Sequence, residues 1–223
     1  VPGARRLAEV PLPEVAPRRV IALRPMAREV PEAIAIGAST GGPQALFAVL
    51  SQLKGAVRQP IFITQHMPAT FTTILAEHIA RASGYPTREA VDGEPVNPGR
   101  IYVAPGDFHM TVETGAGGNR IMRLSKSPPE NFCRPSVDPM LRSLAESYGP
   151  RVLAIMLTGM GRDGLAGSRI LAQSGGTIIA QDEPSSIVWG MPGAVAMAGL
   201  CSAVLPLADI APMLEKLASR GAR

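Results

Sequence analysis

A doubly wound α/β fold is what this sequence predicts: a mostly parallel sheet flanked by helices, with an added antiparallel hairpin. Three observations carry that expectation. Short apolar runs alternate with helical stretches, at 33–37 then 43–54, 60–65 then 70–83, and 151–158 then 163–174, the pattern of βα units joined by right-handed crossovers. The run Val152-Leu153-Ala154-Ile155-Met156-Leu157 is apolar at every position, as a central strand buried on both faces must be. Finally, Gly37-Ala38-Ser39-Thr40-Gly41-Gly42-Pro43 stands where the first apolar run gives way to a helical pattern, and G-x-S-x-G at such a junction is the spacing of a nucleophile elbow.

Taken in order, residues 1–30 alternate Pro, Arg, Glu and small apolar residues without a sustained period and read as an extended linker or tail. The chain opens on Val1 rather than Met, and the segment reads as the remainder of a longer polypeptide. Residues 31–223 are expected to form one catalytic domain. Besides the three βα units, strands are expected at 100–104, 177–180 and 202–205, and helices near 137–148 and 207–219. Two short runs between 108 and 124 flank Gly115-Ala116-Gly117-Gly118-Asn119 and predict the hairpin. No internal repeat is visible.

At 223 residues and 46% hydrophobic content, the chain can bury one substantial core. Its pI of about 9.5 invites a nucleic-acid reading, but the excess charge is local. Residues 1–30 hold Arg5, Arg6, Arg18, Arg19, Arg24 and Arg28 against Glu9, Glu14 and Glu29, which supplies +3 of the net +4. The remainder is near neutral and offers no basic stripe to track phosphates, so no nucleic-acid partner is expected. Cys133 and Cys201 have neither metal-ligand spacing nor the density of a disulfide scaffold, and read as buried or inert thiols of a reducing compartment. No metal site is expected. No apolar run approaches the roughly 20 residues a bilayer span requires, and prolines and charges break the amino terminus where a signal peptide needs an apolar stretch. A cytoplasmic protein without membrane insertion is the expectation.

The chemistry is suggested by position. Ser39, His66 and Asp163 each fall just beyond the carboxyl end of an expected strand, and in a parallel sheet those ends share one edge, where ligands bind. His66 follows Ile61-Phe62-Ile63-Thr64-Gln65 and precedes Pro68, which places it in a strand-to-helix loop. His78 has helical spacing with Ile74, Leu75 and Ile79 and reads as a helix-face residue, whereas His109 opens the hairpin. For the acid, Asp163 competes with Asp107, which also follows a strand in Ile101-Tyr102-Val103-Ala104-Pro105-Gly106-Asp107. An Asp at 163 is also suited to capping the next helix. Spacing leaves the two acids tied.

Six motifs in one order resemble the catalytic domain of chemotaxis-type protein-glutamate methylesterases (CheB-type) over nearly all of residues 33–206. They are Gly37-Ala38-Ser39-Thr40-Gly41-Gly42, Gln65-His66-Met67-Pro68, Ala104-Pro105-Gly106-Asp107 with His109-Met110, Arg134-Pro135-Ser136-Val137-Asp138, Leu157-Thr158-Gly159-Met160-Gly161 with Asp163-Gly164, and Gly190-Met191-Pro192. The resemblance puts the family's triad on Ser39, His66 and Asp163, breaking the tie against Asp107, and places Thr40 and Met160 in the active site. It implies demethylation of glutamate methyl esters on methyl-accepting chemotaxis receptors, commonly with deamidation of receptor glutamines, and no cofactor. Ala69-Thr70-Phe71 departs from relatives that more often have a glycine before the Phe. Relatives also usually carry a phosphorylatable receiver domain ahead of the esterase. The thirty preceding residues are too few for one, so a receiver upstream or in trans is the expected second partner.

On this reading Ser39 Oγ attacks the ester carbonyl, His66 takes and returns the proton, and Asp163 orients the imidazole. The backbone N–H groups of Thr40 and Met160 are the expected oxyanion donors. The alternative is a nucleotide-binding α/β protein that offers the Gly41-Gly42 helix start to a phosphate; it lacks a Walker lysine and a full G-x-G-x-x-G. An inactive receptor-docking module is a third class. Trp189, beside Gly190-Met191-Pro192, reads either as a shaper of substrate access or as a packed aromatic. Arg134-Pro135-Ser136 reads either as a seat for an acidic receptor surface or as a helix cap through Ser136.

Overall fold

The computed structural model describes residues 21–219. Seven strands form one sheet in which every pairing is parallel, so the expected mostly parallel sheet is parallel throughout. In chain order they are β1 (Ala33–Ala38), β2 (Ile61–Gln65), β3 (Thr87–Glu89), β4 (Ile101–Val103), β7 (Val152–Met156), β8 (Thr177–Gln181) and β9 (Ala203–Leu205). Across the sheet the order is β3-β4-β2-β1-β7-β8-β9. The expected hairpin is a separate antiparallel pair, β5 (His109–Thr114) with β6 (Arg120–Ser125).

Alternation along β1 explains the layers. Ile34, Ile36 and Ala38 point into one core, shared with α1 (Gly42–Leu53), α2 (Ala69–Ser83) and α6 (Leu207–Ala218). Ala33 and Ala35 point into the other, shared with α3 (Val137–Tyr148), α4 (Leu165–Gln173), α5 (Met191–Met197) and the hairpin. Strand side chains alternate faces, and here the faces differ in size. Small residues on the α3 side let that helix come close. A Cβ on Gly37 would lie 2.8 Å from Val137 Cγ1, so α3 begins directly over the end of β1. On the opposite face α1 buries Leu46, Val49, Leu50 and Leu53 completely, each contributing about 1.5–3 kcal/mol by leaving water.

The chain passes from β1 to β2 and β4 on one side, then returns to β7 on the other. The reversal between β1 and β7 is a topological switch point, and the crevice at its carboxyl edge is where such sheets bind ligands. Two elements escaped the sequence reading: the edge strand β3 and the short helix α5. Residues 21–30 contain no helix or strand, yet they lie along the β8 side. Arg24 N–H donates to Cys201 O at 2.8 Å, and Ala27 N–H to Thr177 Oγ1 at 3.0 Å. The first twenty residues of the expected linker, and residues 220–223, fall outside the described residues.

Candidate active site

β2, β1 and β7 are neighbours in the sheet, so the loops that follow them carry His66, Ser39 and Asp163 to one rim. Backbone hydrogen bonds stitch those loops together. Ser39 N–H donates to Thr158 O at 3.1 Å, and His66 N–H to Ala38 O at 3.1 Å. The chain turns after Ser39 through Gly42 N–H to Ser39 O at 2.8 Å, with Gly41 at φ +77°. Glycine is required at 41 on two counts, because that φ is left-handed and a Cβ would sit 2.6 Å from Ile187 Cγ1. Thr158 Oγ–H donates to Thr40 O at 2.9 Å and fixes the far side of the turn. Gln65, buried at the end of β2, donates one amide to Ser39 O at 2.9 Å and to His66 O at 3.1 Å, bracing the two loops against each other.

The structure brings His66 and Asp163 into direct contact, Nε2 to Oδ2 at 2.6 Å. That geometry puts the imidazole proton on Nε2 and leaves Nδ1 as the basic nitrogen. Nδ1 lies 3.5 Å from Cys133 Sγ. Burial, reinforced by the Asp163 charge, pushes the Cys133 thiol up, so it stays S–H and does not compete as an anion. The other thiol, Cys201, is buried, which raises it to about 12. Among the described residues no hydrogen bond runs from the Ser39 hydroxyl to the imidazole, a looseness common before substrate binds.

Asp163 is 2% exposed, and its carboxylate is saturated with donors. Oδ2 accepts from His66 and from Val137 N–H at 2.6 Å. Oδ1 accepts from Ser136 Oγ–H at 2.7 Å, Asn131 Nδ2 and Gly164 N–H at 2.9 Å each, and Asp138 N–H at 3.1 Å. Burial pushes this carboxyl up, but the hydrogen bonds from His66, Ser136 and Val137 outweigh it and hold it below its ordinary range. Asp163 thus caps α3 from across the chain, a favourable place for an anion. This corrects the expectation that it caps the helix following it: α4 has Gly164 at its N-cap, without a side-chain cap. It also corrects the capping role for Ser136, which occupies the N-cap of α3 but turns its hydroxyl to Asp163.

The competing candidates are engaged in other contacts. Asp107 is half-exposed and pairs with Arg134 at 2.6 Å and Lys126 at 3.7 Å, and the Arg134 contact holds it low. Arg134 is therefore engaged within the domain. His78 is exposed on α2, tilted against Phe47. His109 is buried, accepts Ser136 N–H at Nδ1 and faces Pro128 O through Nε2. It supports the Ser136 segment without reaching the rim. Trp189 is a packed aromatic whose Nε1–H donates to Gln181 O at 2.9 Å. Thr40 is exposed and Met160 is 66% exposed; the backbone N–H groups of both have no partner among the described residues. The Gly41-Gly42 turn serves close packing, with the Gln65 carboxamide where a Cβ of Gly42 would stand. The contributions of Asn131, Ser136 and Gln65 escaped the sequence reading. Only Ser136 carried a signal, and it pointed to a different contact. Among the described residues no group of three or more His, Cys, Asp or Glu is placed to hold a metal, and no helix is long and apolar enough to cross a membrane.

A doubly wound α/β domain with a serine at a sharp turn beside a half-buried histidine paired to a buried carboxylate is the class that fold and site define. The chain belongs to the CheB methylesterase family, whose model matches residues 34–214. It is 65% identical over 211 residues to the protein-glutamate methylesterase/protein-glutamine glutaminase 1 of Paramagnetospirillum magneticum, covering 94% of this chain and 55% of that protein. With the protein of the same activity name from Azospirillum brasilense it shares 63% identity, over 94% of this chain and 53% of the other. The chain therefore spans about half the length of the curated relatives it matches. The crystal structure of the Thermotoga maritima CheB methylesterase catalytic domain matches with a TM-score of 0.81 at 40% identity, over 84% of this chain and 98% of that one.

Proposed function

We propose that the chain is a serine hydrolase that demethylates glutamate methyl esters, and deamidates glutamines, on the cytoplasmic part of methyl-accepting chemotaxis receptors. Residues 31–223 form its catalytic domain, and a receiver domain, upstream or in trans, is its second partner. The observation that carries the reading is the 2.6 Å contact of His66 Nε2 with a saturated Asp163, set beside the Ser39 turn. His66 Nδ1 takes the Ser39 proton as Oγ attacks the carbonyl, and the imidazolium is stabilised by Asp163, which stays ionised. The oxyanion is received by Thr40 and Met160 N–H, two donors that need not break an existing hydrogen bond to do so. His66 then returns the proton to departing methanol, or to ammonia when the substrate is glutamine, leaving the acyl group on Oγ. Water, deprotonated by the same nitrogen, releases glutamate and restores the serine. The chemistry needs no cofactor.

Methanol release from methylated receptor fragments tests substrate and nucleophile together. Wild-type enzyme is expected to release it. Ser39→Ala should fall to the residue of catalysis left by binding and oxyanion stabilisation, on the order of 10³–10⁴ over water in triad enzymes. A fluorophosphonate should label Ser39. Robust methanol release by Ser39→Ala ends the assignment.

A further inference from the structure

The turn at Glu130–Cys133 is built to hold one side chain in place. Glu130 and Cys133 exchange backbone hydrogen bonds at 3.1 and 2.9 Å, closing a two-residue turn whose central residues, Asn131 and Phe132, have φ +52° and +62°. A turn with both central residues left-handed favours Asn at the first of them and glycine at the second. A Phe there, with its side chain fully exposed, is strained and gains no burial. Strain of this kind persists where surrounding structure demands it. The demand comes from Asn131, whose Nδ2 donates to Asp163 Oδ1 at 2.9 Å and to Asp138 Oδ2 at 2.8 Å.

Asp138 mirrors Asp163. It lies in the first turn of α3, is 3% exposed, and accepts Gly167 N–H of α4 at 2.6 Å through Oδ1. The two helices thus exchange carboxylates: Asp163, ahead of α4, caps α3, and Asp138, in α3, caps α4. Two buried carboxylates share a single neutral amide between them. Like charges so placed favour uptake of a proton by one of them.

We propose that Asn131 is a positioning residue of the hydrolytic site, its amide giving one N–H to each carboxylate so that Asp163 stays ionised and aimed at His66 beside a second buried acid. Burial pushes Asp138 up, and the Asp163 charge adds to that; Asp163 is held low by its donors. The other titratable groups facing the pair are His66 from the loop after β2, and Cys133 and Glu130 from the turn. Arg142, one turn along α3, is paired with Glu130 at 2.6 Å. A neutral donor at 131 screens Asp138 without cancelling the Asp163 charge that the imidazolium needs.

The inference rests on the hydrolase reading, so one readout is taken without substrate. Asn131→Asp keeps the size and the turn preference but replaces the donor by an acceptor, and Asn131→Gly keeps the left-handed turn and removes the amide. Both should lower kcat on methylated receptor fragments by tenfold or more with KM within twofold. In Asn131→Gly a less neutralised Asp163 holds the imidazolium more tightly, so the acid limb of kcat/KM should move to higher pH. Asn131→Gly/Asp138→Asn should recover part of that displacement. In the free enzyme, the low-field proton resonance of the His66–Asp163 bond should shift or broaden in both single variants. Wild-type kcat in either variant, or an unmoved resonance and acid limb in a folded Asn131→Gly, overturns the proposal. If Asn131→Gly does not fold, kcat and the resonance of Asn131→Asp decide alone. Inactive wild-type enzyme with a resonance that responds to Asn131 counts against the hydrolase reading and not against the positioning role.

Discussion

The loops after β4 and β7 each present an aspartate at the same rim, and both aspartates are reached by the same connection, residues 126–136. Asp107, after β4, meets cations: Arg134 at 2.6 Å and Lys126 at 3.7 Å, in a half-exposed setting. Asp163, after β7, is buried and meets only neutral donors apart from His66. Arginine beside a carboxylate cancels its field. Backbone N–H groups, a hydroxyl and an amide fix a carboxylate in place and leave its net charge standing. Only the second treatment keeps an anion useful to an imidazolium. The difference is thus one of the kind of partner, and both acids are held below their ordinary range.

The sharpest way to break this contrast is Asp163→Asn. Four of the six donors converge on Oδ1, so the new NH₂ group is forced to the Oδ2 side, facing His66 Nε2. The imidazole must then put its proton on Nδ1, the wrong tautomer for a base toward Ser39, and a loss in kcat on the order of 10⁴ is expected, as in the protease triad. Steady-state methanol release measures it. A loss below tenfold would show that Asp163 does not set the tautomer.

The same substitution has a signature in stability. Because the folded value of Asp163 is depressed, its stabilising contribution is whole above the unfolded value of about 3.9 and disappears as pH falls through the lower folded value. Asp138 has the opposite sign: its folded value is raised, so stability is lost as pH rises from about 3.9 through that value. Thermal melts across the acid range should show the wild-type decline below about pH 4, in the window set by these two directions, and Asp163→Asn should flatten it. A decline unchanged in Asp163→Asn would mean that other carboxylates govern acid unfolding.

Smaller effects sit in the connecting segment. Phe132 is left-handed and fully exposed, so Phe132→Gly removes strain of about 1–2 kcal/mol against an entropic cost of about 0.5–1 kcal/mol for glycine. Melting should rise by at most about 3–6 °C with kcat unchanged. A lowered Tm would mean that the turn is held otherwise than by Asn131. Asp107→Asn should do least, leaving kcat within twofold. A collapse there would transfer the acid role to the loop after β4.

Much of the fold is readable because continuous apolar runs such as Val152–Met156 belong to buried parallel strands. β3 is not, since Thr87-Arg88-Glu89 is three polar residues at a sheet edge and has no apolar pattern. α5 is hidden by Pro192 and Gly193, although proline in a first turn is itself a start signal; Gly193 is there because a Cβ would lie 2.9 Å from the Trp189 ring. At the site, Ser39 and His66 stand out because each directly follows an apolar run, whereas spacing leaves Asp163 tied with Asp107 and only the family resemblance separates them. Asn131 and Ser136 do not. Their contacts join residues 32 and 27 positions apart, and a serine before a helix reads equally well as its own cap.

The carboxylate exchange between α3 and α4 bears on which lengths of chain can drift. One residue added ahead of Val137 would rotate the start of α3 by about 100°, swinging the Val137 and Asp138 amides off Asp163 and the Asp138 carboxylate off Gly167 in a single event. A residue added at the hairpin tip, Gly115–Asn119, disturbs neither. Divergence within this fold should therefore write its insertions at the tip and leave the spacing from Asn131 to Asp138, and from Asp163 to Gly167, invariant.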